Sequence, residues 1–245
     1  MKIIDINVQI GTIPVLGQMF SIENLLTSMQ KHEVMGVMIS STVGNNIDFV
    51  YGNKMISDAI TKYGDKTNLF GCITVNCDFI EESQTEMRKY LYEPKIVALR
   101  LTTGDKRKYV TLAEFEPILN SNRRFGAPVV VHARDFDEII EIEKIAKKFD
   151  GMRFVILSMG EDAWKSAVII ADRTTNISLE ISGNTSPEKI GYAVEKLGSH
   201  RLFYGSELPY IDGSVFKSLI NHSDLDDFQK VDIYYNNARK LFDWK

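Results

Sequence analysis

About eight times along this chain a short apolar run rich in β-branched residues gives way to a longer stretch with helical spacing, and this alternation restricts the fold more than any other feature. Runs of that kind form strands buried on both faces, and helices between them make the strands parallel. The predicted strands are Lys2–Ile10, Val34–Ser41, Asn68–Asn76, Ile96–Thr102, Pro128–Ala133, Arg153–Gly160, Asn176–Gly183 and Arg201–Leu208. Eight parallel strands close into a TIM-type (β/α)8 barrel, and 245 residues is the ordinary length for one. A doubly wound open sheet is the competing architecture, but a nucleotide-binding one needs a glycine-rich turn after its first strand, and Gly11-Thr12-Ile13-Pro14 is not one.

The helices carry their own punctuation. Thr111 with Glu114 reads as a capping box before Phe115, Ile118 and Leu119, and Thr185 or Ser186 precedes Pro187 and Glu188 at another start. Gly64, Gly126, Gly151 and Gly198 fall where helices should stop. Asp227 to Phe242 is amphipathic and is expected to pack on the barrel exterior, while Gly11–Phe20 and Val43–Asp48 read as loops beside the mouth. No shift in composition marks a boundary, so residues 1–245 are expected to form a single α/β domain.

Composition excludes several classes of function. With 44% hydrophobic and 25% charged residues the chain reads as an ordinary soluble protein. A net charge of −4 supplies no attraction for phosphate backbones, so no nucleic-acid partner is expected. No run of about 18 apolar residues occurs, so no membrane is expected either, and Asp5 and Asn7 interrupt what would have to be an apolar leader. Cys72 and Cys77 lack the spacing of a redox or zinc pair and read as reduced structural thiols. The expected location is cytoplasmic, with association into homo-oligomers left open.

In a parallel barrel, chemistry gathers where the strands end. Asp5, Asn7 and Gln9 alternate along the first strand and should share a face, either as ligand contacts or as a polar rim satisfied by water. His132 ends the apolar run Val129-Val130-Val131, as a site residue or as a hydrogen-bonded wall residue, whereas His32, His200 and His222 should face solvent. Glu207, in Tyr204-Gly205-Ser206-Glu207-Leu208-Pro209-Tyr210, is the strongest candidate, its plainer alternative being a salt bridge to Arg100 or Arg134. Arg100 could grip an anionic substrate group, or serve in a structural ion pair. Glu180 and Ser182 are weaker candidates of the same kind.

Taken together, Ile4-Asp5 to Gly11, Pro128 to Ala133, Arg153 to Gly160, Arg201 to Pro209 and Asn237-Ala238-Arg239-Lys240-Leu241-Phe242 resemble the amidohydrolase superfamily, in particular its amidohydrolase 2 branch of hydrolases, lactonases and decarboxylases of carboxylated aromatic acids. The resemblance implies a barrel whose metal is held by an Asp-x-His-x-His opening, by histidines on strands five and six and by a late aspartate. Here the opening histidines are replaced by Asn7 and Gln9, the sixth-strand histidine by Ser158 or, in the next alignment, Met159, and the aspartate by Glu207; His132 remains. Neutral amides are poor ligands for zinc, so no tightly bound transition metal and no cofactor are expected, with an atypical divalent ion left open.

Three functions follow. The first is a metal-free hydrolase for a small carboxylated lactone or amide, with Glu207 and His132 catalytic and Asn7, Gln9, Arg100, Ser158 and Glu180 around the substrate. The second is a catalytically silent barrel that binds a small molecule or a protein. The third is a metal-dependent hydrolase or decarboxylase with an unusual ligand set.

Overall fold

The structure, a computed structural model, describes residues 1–13, 17–64, 67–103, 109–183 and 186–243. Among them nine strands form one sheet: β1 (Ile4–Ile13), β2 (Gln18–Phe20), β3 (Gly36–Ser41), β4 (Asn68–Asn76), β5 (Ile96–Thr102), β6 (Val129–His132), β7 (Phe154–Leu157), β8 (Ile177–Glu180) and β9 (Leu202–Phe203). Their order is β2-β1-β3-β4-β5-β6-β7-β8-β9, parallel throughout except for the β1–β2 hairpin. The sheet curls until its far edge meets its start. The Ile6 N–H donates to the Tyr204 carbonyl at 3.1 Å and the Gln9 N–H to the Leu208 carbonyl at 2.8 Å, beside a parallel bridge between Val8 and Leu208. The fold is a TIM-type barrel.

Two layers of apolar side chains explain the continuous hydrophobic runs. One residue in two turns inward, so Ile4, Ile6, Met38, Cys72, Ala98, Val130, Val155 and Phe203 fill the barrel, while Val37, Ile39, Ile73, Leu99, Val129, Ile156 and Leu179 meet the helices. The last segment departs from expectation. It runs as a helix over Asp227–Val231, widens into one π turn at Asp232–Asn236 and continues as Asn237–Leu241. Ala238 and Phe242 join the barrel's inner cluster instead of lying wholly on the exterior.

Several strands are shorter than the sequence suggests, because the residues after them turn away to build the mouth. β7 stops at Leu157, and Ser158, Met159, Gly160 and Glu161 all adopt positive φ. Gly11–Phe20, expected to be a loop, contributes β2, and Thr42–Asn46 is a short helix capped by Ser41. That helix sits tight against Phe49–Tyr63: a Cβ on Gly52 would lie 2.4 Å from the Gly44 Cα, so only glycine allows the approach that sets Asn45 at the mouth. Of the predicted stops, Gly126 and Gly198 take positive φ, while Gly64 closes its helix at φ −61°. The Thr111 cap is present, its hydroxyl accepting from the Glu114 N–H at 3.4 Å, and Ser186 stands at the N-cap before Pro187; Thr185 lies outside the described residues.

Candidate functional site

A cavity of about 320 Å³ opens where the strands end, and Gln9, Arg100, His132 and Glu207 line it together with Tyr210 and Glu161. They are delivered by five strands or the turns behind them, Glu207 and Tyr210 coming from the same turn after β9. Gln9 is set by Asn45, whose amide donates to Gln9 Oε1 at 2.9 Å while accepting from the Thr74 hydroxyl at 2.9 Å. Arg100 is buried on β5, with Nη1 3.4 Å from Ser40 Oγ. Burial weakens its hold on the proton, with Cys72, Tyr210, Glu207 and Glu180 opposing the shift only in part, and a guanidinium stays charged at any ordinary pH. His132 is about one-third exposed, and its Nδ1 stands 3.9 Å from Glu161 Oε1.

Glu207 stands on the cavity wall with its ionisation shifted by its surroundings. Burial pushes its carboxyl up, the neighbouring Glu161 pushes it further, and Arg100 and Ser182 pull it back. Glu161 is raised as well, by burial first. Glu207 also holds φ 58°, a conformation that costs a non-glycine residue of order 1–3 kcal/mol and persists only when its surroundings enforce it. Glu161, the last of the positive-φ run Ser158–Glu161, lines the same cavity.

The other predicted site residues bond to one another. Asn7, Ser158 and Glu180 are buried and lie outside the cavity wall, joined to each other instead: Asn7 Nδ2 donates to Glu180 Oε2 at 2.9 Å and to Ser182 Oγ at 3.2 Å, and the Ser158 N–H donates to Glu180 Oε2 at 3.1 Å. Burial lifts the Glu180 carboxyl to about 7 against these hydrogen bonds. The space for it exists because residue 205 is glycine; a Cβ there would sit 2.4 Å from Glu180 Oε1.

Two expectations need correction. Asp5 and Asn7 do not share a face, because the register of β1 shifts between Asp5 and Val8 and the intervening residues change sides. Asp5 turns to a crevice shared with Leu25, His32 and Tyr204, accepts the Ser206 N–H at 3.0 Å, and is pushed up to about 6 by burial. His32 is buried there, not solvent-facing, with Nε2 3.5 Å from Asp212 Oδ1. The guanidinium of Arg134 is engaged by Glu138, four residues along its own helix start, rather than by Glu207. Cys72 and Cys77 are both buried, and neither takes part in a disulfide. Tyr210, Glu161 and Asn45 were not singled out from sequence; Tyr210 could have been, three positions from Glu207 on the same turn.

Among the described residues no three His, Cys, Asp or Glu side chains stand close enough to share one metal ion. Asn7 spends its amide hydrogens on Glu180 and Ser182, and its Oδ1 is buried without a hydrogen-bond partner among the described residues. A neutral amide oxygen is a poor ligand for a transition metal, and among the described residues no cluster of stronger donors takes its place.

The family model for amidohydrolases matches residues 53–244. The chain belongs to the amidohydrolase family. Solved structures similar to this amidohydrolase include 2,6-dihydroxybenzoate decarboxylase from Rhizobium, at 13% identity and TM-score 0.80 over 99% of both chains. A dihydroxybenzoic acid decarboxylase from Polaromonas sp. JS666, with bound manganese and 2-nitroresorcinol, aligns at 14% identity and TM-score 0.82 over 99% of this chain and 97% of the other. The 5-carboxyvanillate decarboxylase of Sphingomonas paucimobilis aligns at 13% and 0.78, again over 99% of both. At these identities the likeness is one of fold. Comparison with curated proteins gave no match. No helix among the described residues is long and apolar enough to cross a membrane.

Proposed function

We propose that this amidohydrolase acts at its barrel mouth on a small carboxylated molecule by acid–base chemistry at Glu207, without a tightly bound transition metal. The observation that carries the reading is a buried cation, Arg100, and a carboxyl with raised proton affinity, Glu207, on the walls of one cavity of about 320 Å³. Its volume suits a single-ring molecule. Arg100 supplies the anionic group with a two-pronged donor, and burial makes that contact stronger than it would be in water.

For hydrolysis of a lactone or amide, ionised Glu207 takes a proton from water as the water oxygen bonds to the carbonyl carbon. The Gln9 amide and His132 then donate to the developing oxyanion, and the proton passes to the leaving oxygen or nitrogen as its bond to carbon breaks. Burial raises the proton affinity of Glu207, which favours its acid form, while Arg100 favours the ionised form that acts as base.

Decarboxylation of a carboxylated aromatic acid is the second reading, favoured by the three similar structures, all decarboxylases. There, neutral Glu207 protonates the ring carbon bearing the carboxylate, carbon dioxide leaves with that bond's electrons returning to the ring, and the carboxyl regains its proton from solvent. Turnover assays across lactones, amides and hydroxybenzoates separate the two by product. Glu207→Gln should lower kcat by at least about 100-fold in either case, the usual worth of a general acid or base. Full activity in that variant discards the scheme. Saturable binding with no turnover across the panel leaves a silent binding barrel, and stoichiometric zinc or manganese in purified protein restores the metal-dependent reading.

A further inference from the structure

The fold satisfies one end of the Gln9 amide and leaves the other to the cavity. The side chain lines the mouth and is only 6% exposed. Its Oε1 accepts from Asn45 Nδ2 at 2.9 Å, and its Nε2 makes no hydrogen bond among the described residues. Which end faces the cavity is decided further back. The Thr74 hydroxyl is buried, and Asn45 Oδ1 at 2.9 Å is its only hydrogen-bond partner among the described residues. If that hydroxyl accepted instead of donating, its hydrogen would be buried without an acceptor and would bear the full cost of desolvation. Thr74 therefore donates, Asn45 offers it oxygen, and the Asn45 nitrogen is left for Gln9 Oε1.

Thr74 is held at both of its backbone groups. Asn53, on the helix Phe49–Tyr63, accepts the Thr74 N–H through Oδ1 at 2.7 Å and donates through Nδ2 to the Thr74 carbonyl at 2.9 Å. The same nitrogen also donates to Glu86 Oε2 at 3.1 Å, so Asn53 has its own orientation fixed. At the other end of the chain, Ser40 is the register partner of Gln9, and its Oγ lies 3.4 Å from Arg100 Nη1. The Gln9 amide and the Arg100 guanidinium thus border the same serine at the cavity wall.

We infer that Asn45 is a positioning residue that holds the Gln9 amide nitrogen toward the cavity, so that Gln9 and Arg100 together select a carboxylated molecule bearing a second acceptor oxygen over one bearing a donor in its place. The inference rests on the reading of the mouth as a carboxylate site. Arg100 has no acceptor to offer. Gln9 could accept only by turning its oxygen inward, which would set its nitrogen against Asn45 Nδ2 with two donors face to face. Reversing the whole chain would strand the Thr74 hydrogen. A substrate oxygen completes the bonding of Gln9, whereas an N–H group in the same place leaves buried donors opposed, and a site built to bond one kind of group rejects the other on that ground.

The first arm of the test needs no ligand, so it fails separately from the proposed activity. A neutron crystal structure of the protein exchanged into deuterium oxide should show the Asn45 deuterons directed at Gln9 and the Gln9 deuterons bordering the cavity; the opposite arrangement overturns the inference. In the second arm, calorimetry measures binding of 2- and 3-acetylbenzoate, which add an acceptor, and of 2- and 3-aminobenzoate, which add a donor, with benzoate as reference. Wild type should bind an acetyl isomer about 3- to 10-fold more tightly than its amino counterpart, the usual worth of one hydrogen bond. Asn45→Asp keeps the oxygen that Thr74 needs and takes away the nitrogen, so Gln9 must turn its own nitrogen to Asp and its oxygen to the cavity. The preference should then invert, and the added negative charge, which weakens every ligand alike, cancels in the ratio. Thr74→Val should bring the ratio toward one, and Thr74→Ser should restore it. A ratio unchanged by Asn45→Asp in a folded protein overturns the selectivity. Absence of binding by the whole panel, with the amide oriented as expected, discards the carboxylate reading and the selectivity with it.

Discussion

Replacing Glu180 by Gln should change how stability depends on pH, in a direction fixed by burial. The folded protein holds the Glu180 proton up to about pH 7, against 4.5 for an exposed glutamate, so between those values the folded state binds more protons than the unfolded. Stability from this group is therefore complete below about pH 4.5 and is lost as pH rises through about 7. Across that window the loss amounts to about 3 kcal/mol, since a tenfold change in proton affinity is worth about 1.4 kcal/mol. The substituted glutamine cannot titrate, and it costs something at every pH because its amide nitrogen must face a backbone N–H that the carboxylate accepted. That cost is a constant offset, whereas the titration appears as a difference in slope. Urea melts of wild type and variant at matched pH from 4 to 8 should converge as pH rises, with the gap changing by about 3 kcal/mol, or roughly 6–12 °C in Tm for a domain of this size. Parallel stability curves would refute the reasoning, because they would mean that Glu180 ionises in the fold as easily as in the open chain.

Arg100→Met keeps the buried stem and removes the charge, and should weaken binding of a carboxylated ligand about 10- to 100-fold by calorimetry while leaving the uncharged methyl ester of that ligand little changed. Gly205→Ala forces a methyl group to 2.4 Å from Glu180 Oε1 and 2.8 Å from the Asn7 Cβ, and should cost about 2 kcal/mol or more in chemical denaturation. Asp5→Asn should remove the separate pH dependence that lies between about pH 4 and 6, read from the same urea melts, because burial lifts the Asp5 carboxyl to about 6.

The barrel was legible because burial on both faces makes each strand a continuous apolar run, and Val129-Val130-Val131 or Phe154-Val155-Ile156-Leu157 can hardly be anything else. The strand ends Gln9, Arg100, His132 and Glu207 were legible for the related reason that a polar residue closing such a run must find water or a ligand. Alternation misled at Asp5, since it presumes a regular register and β1 shifts before Val8. It also could not tell a ligand contact from a group held behind one: Asn7, Ser158 and Glu180 are polar and inward, but they meet one another over the gap left by Gly205, and that depends on distances between strands remote in sequence. His32 looked like a surface residue at the end of a helix, yet the loop bearing Asp212 and Gly213 folds over it. Glu161 was hidden because its place at the rim follows from four successive left-handed residues, of which only Gly160 announces itself in the sequence.

The most direct measurement is a crystal structure of the protein soaked with 2,6-dihydroxybenzoate or a comparable single-ring carboxylate. The ligand is expected in the mouth, with anionic oxygens on the Arg100 guanidinium and the reacting carbon turned toward Glu207. Density for it in the groove between Ile47 and Phe79, with nothing between Arg100 and Glu207, would contradict the assignment of the mouth as the working site.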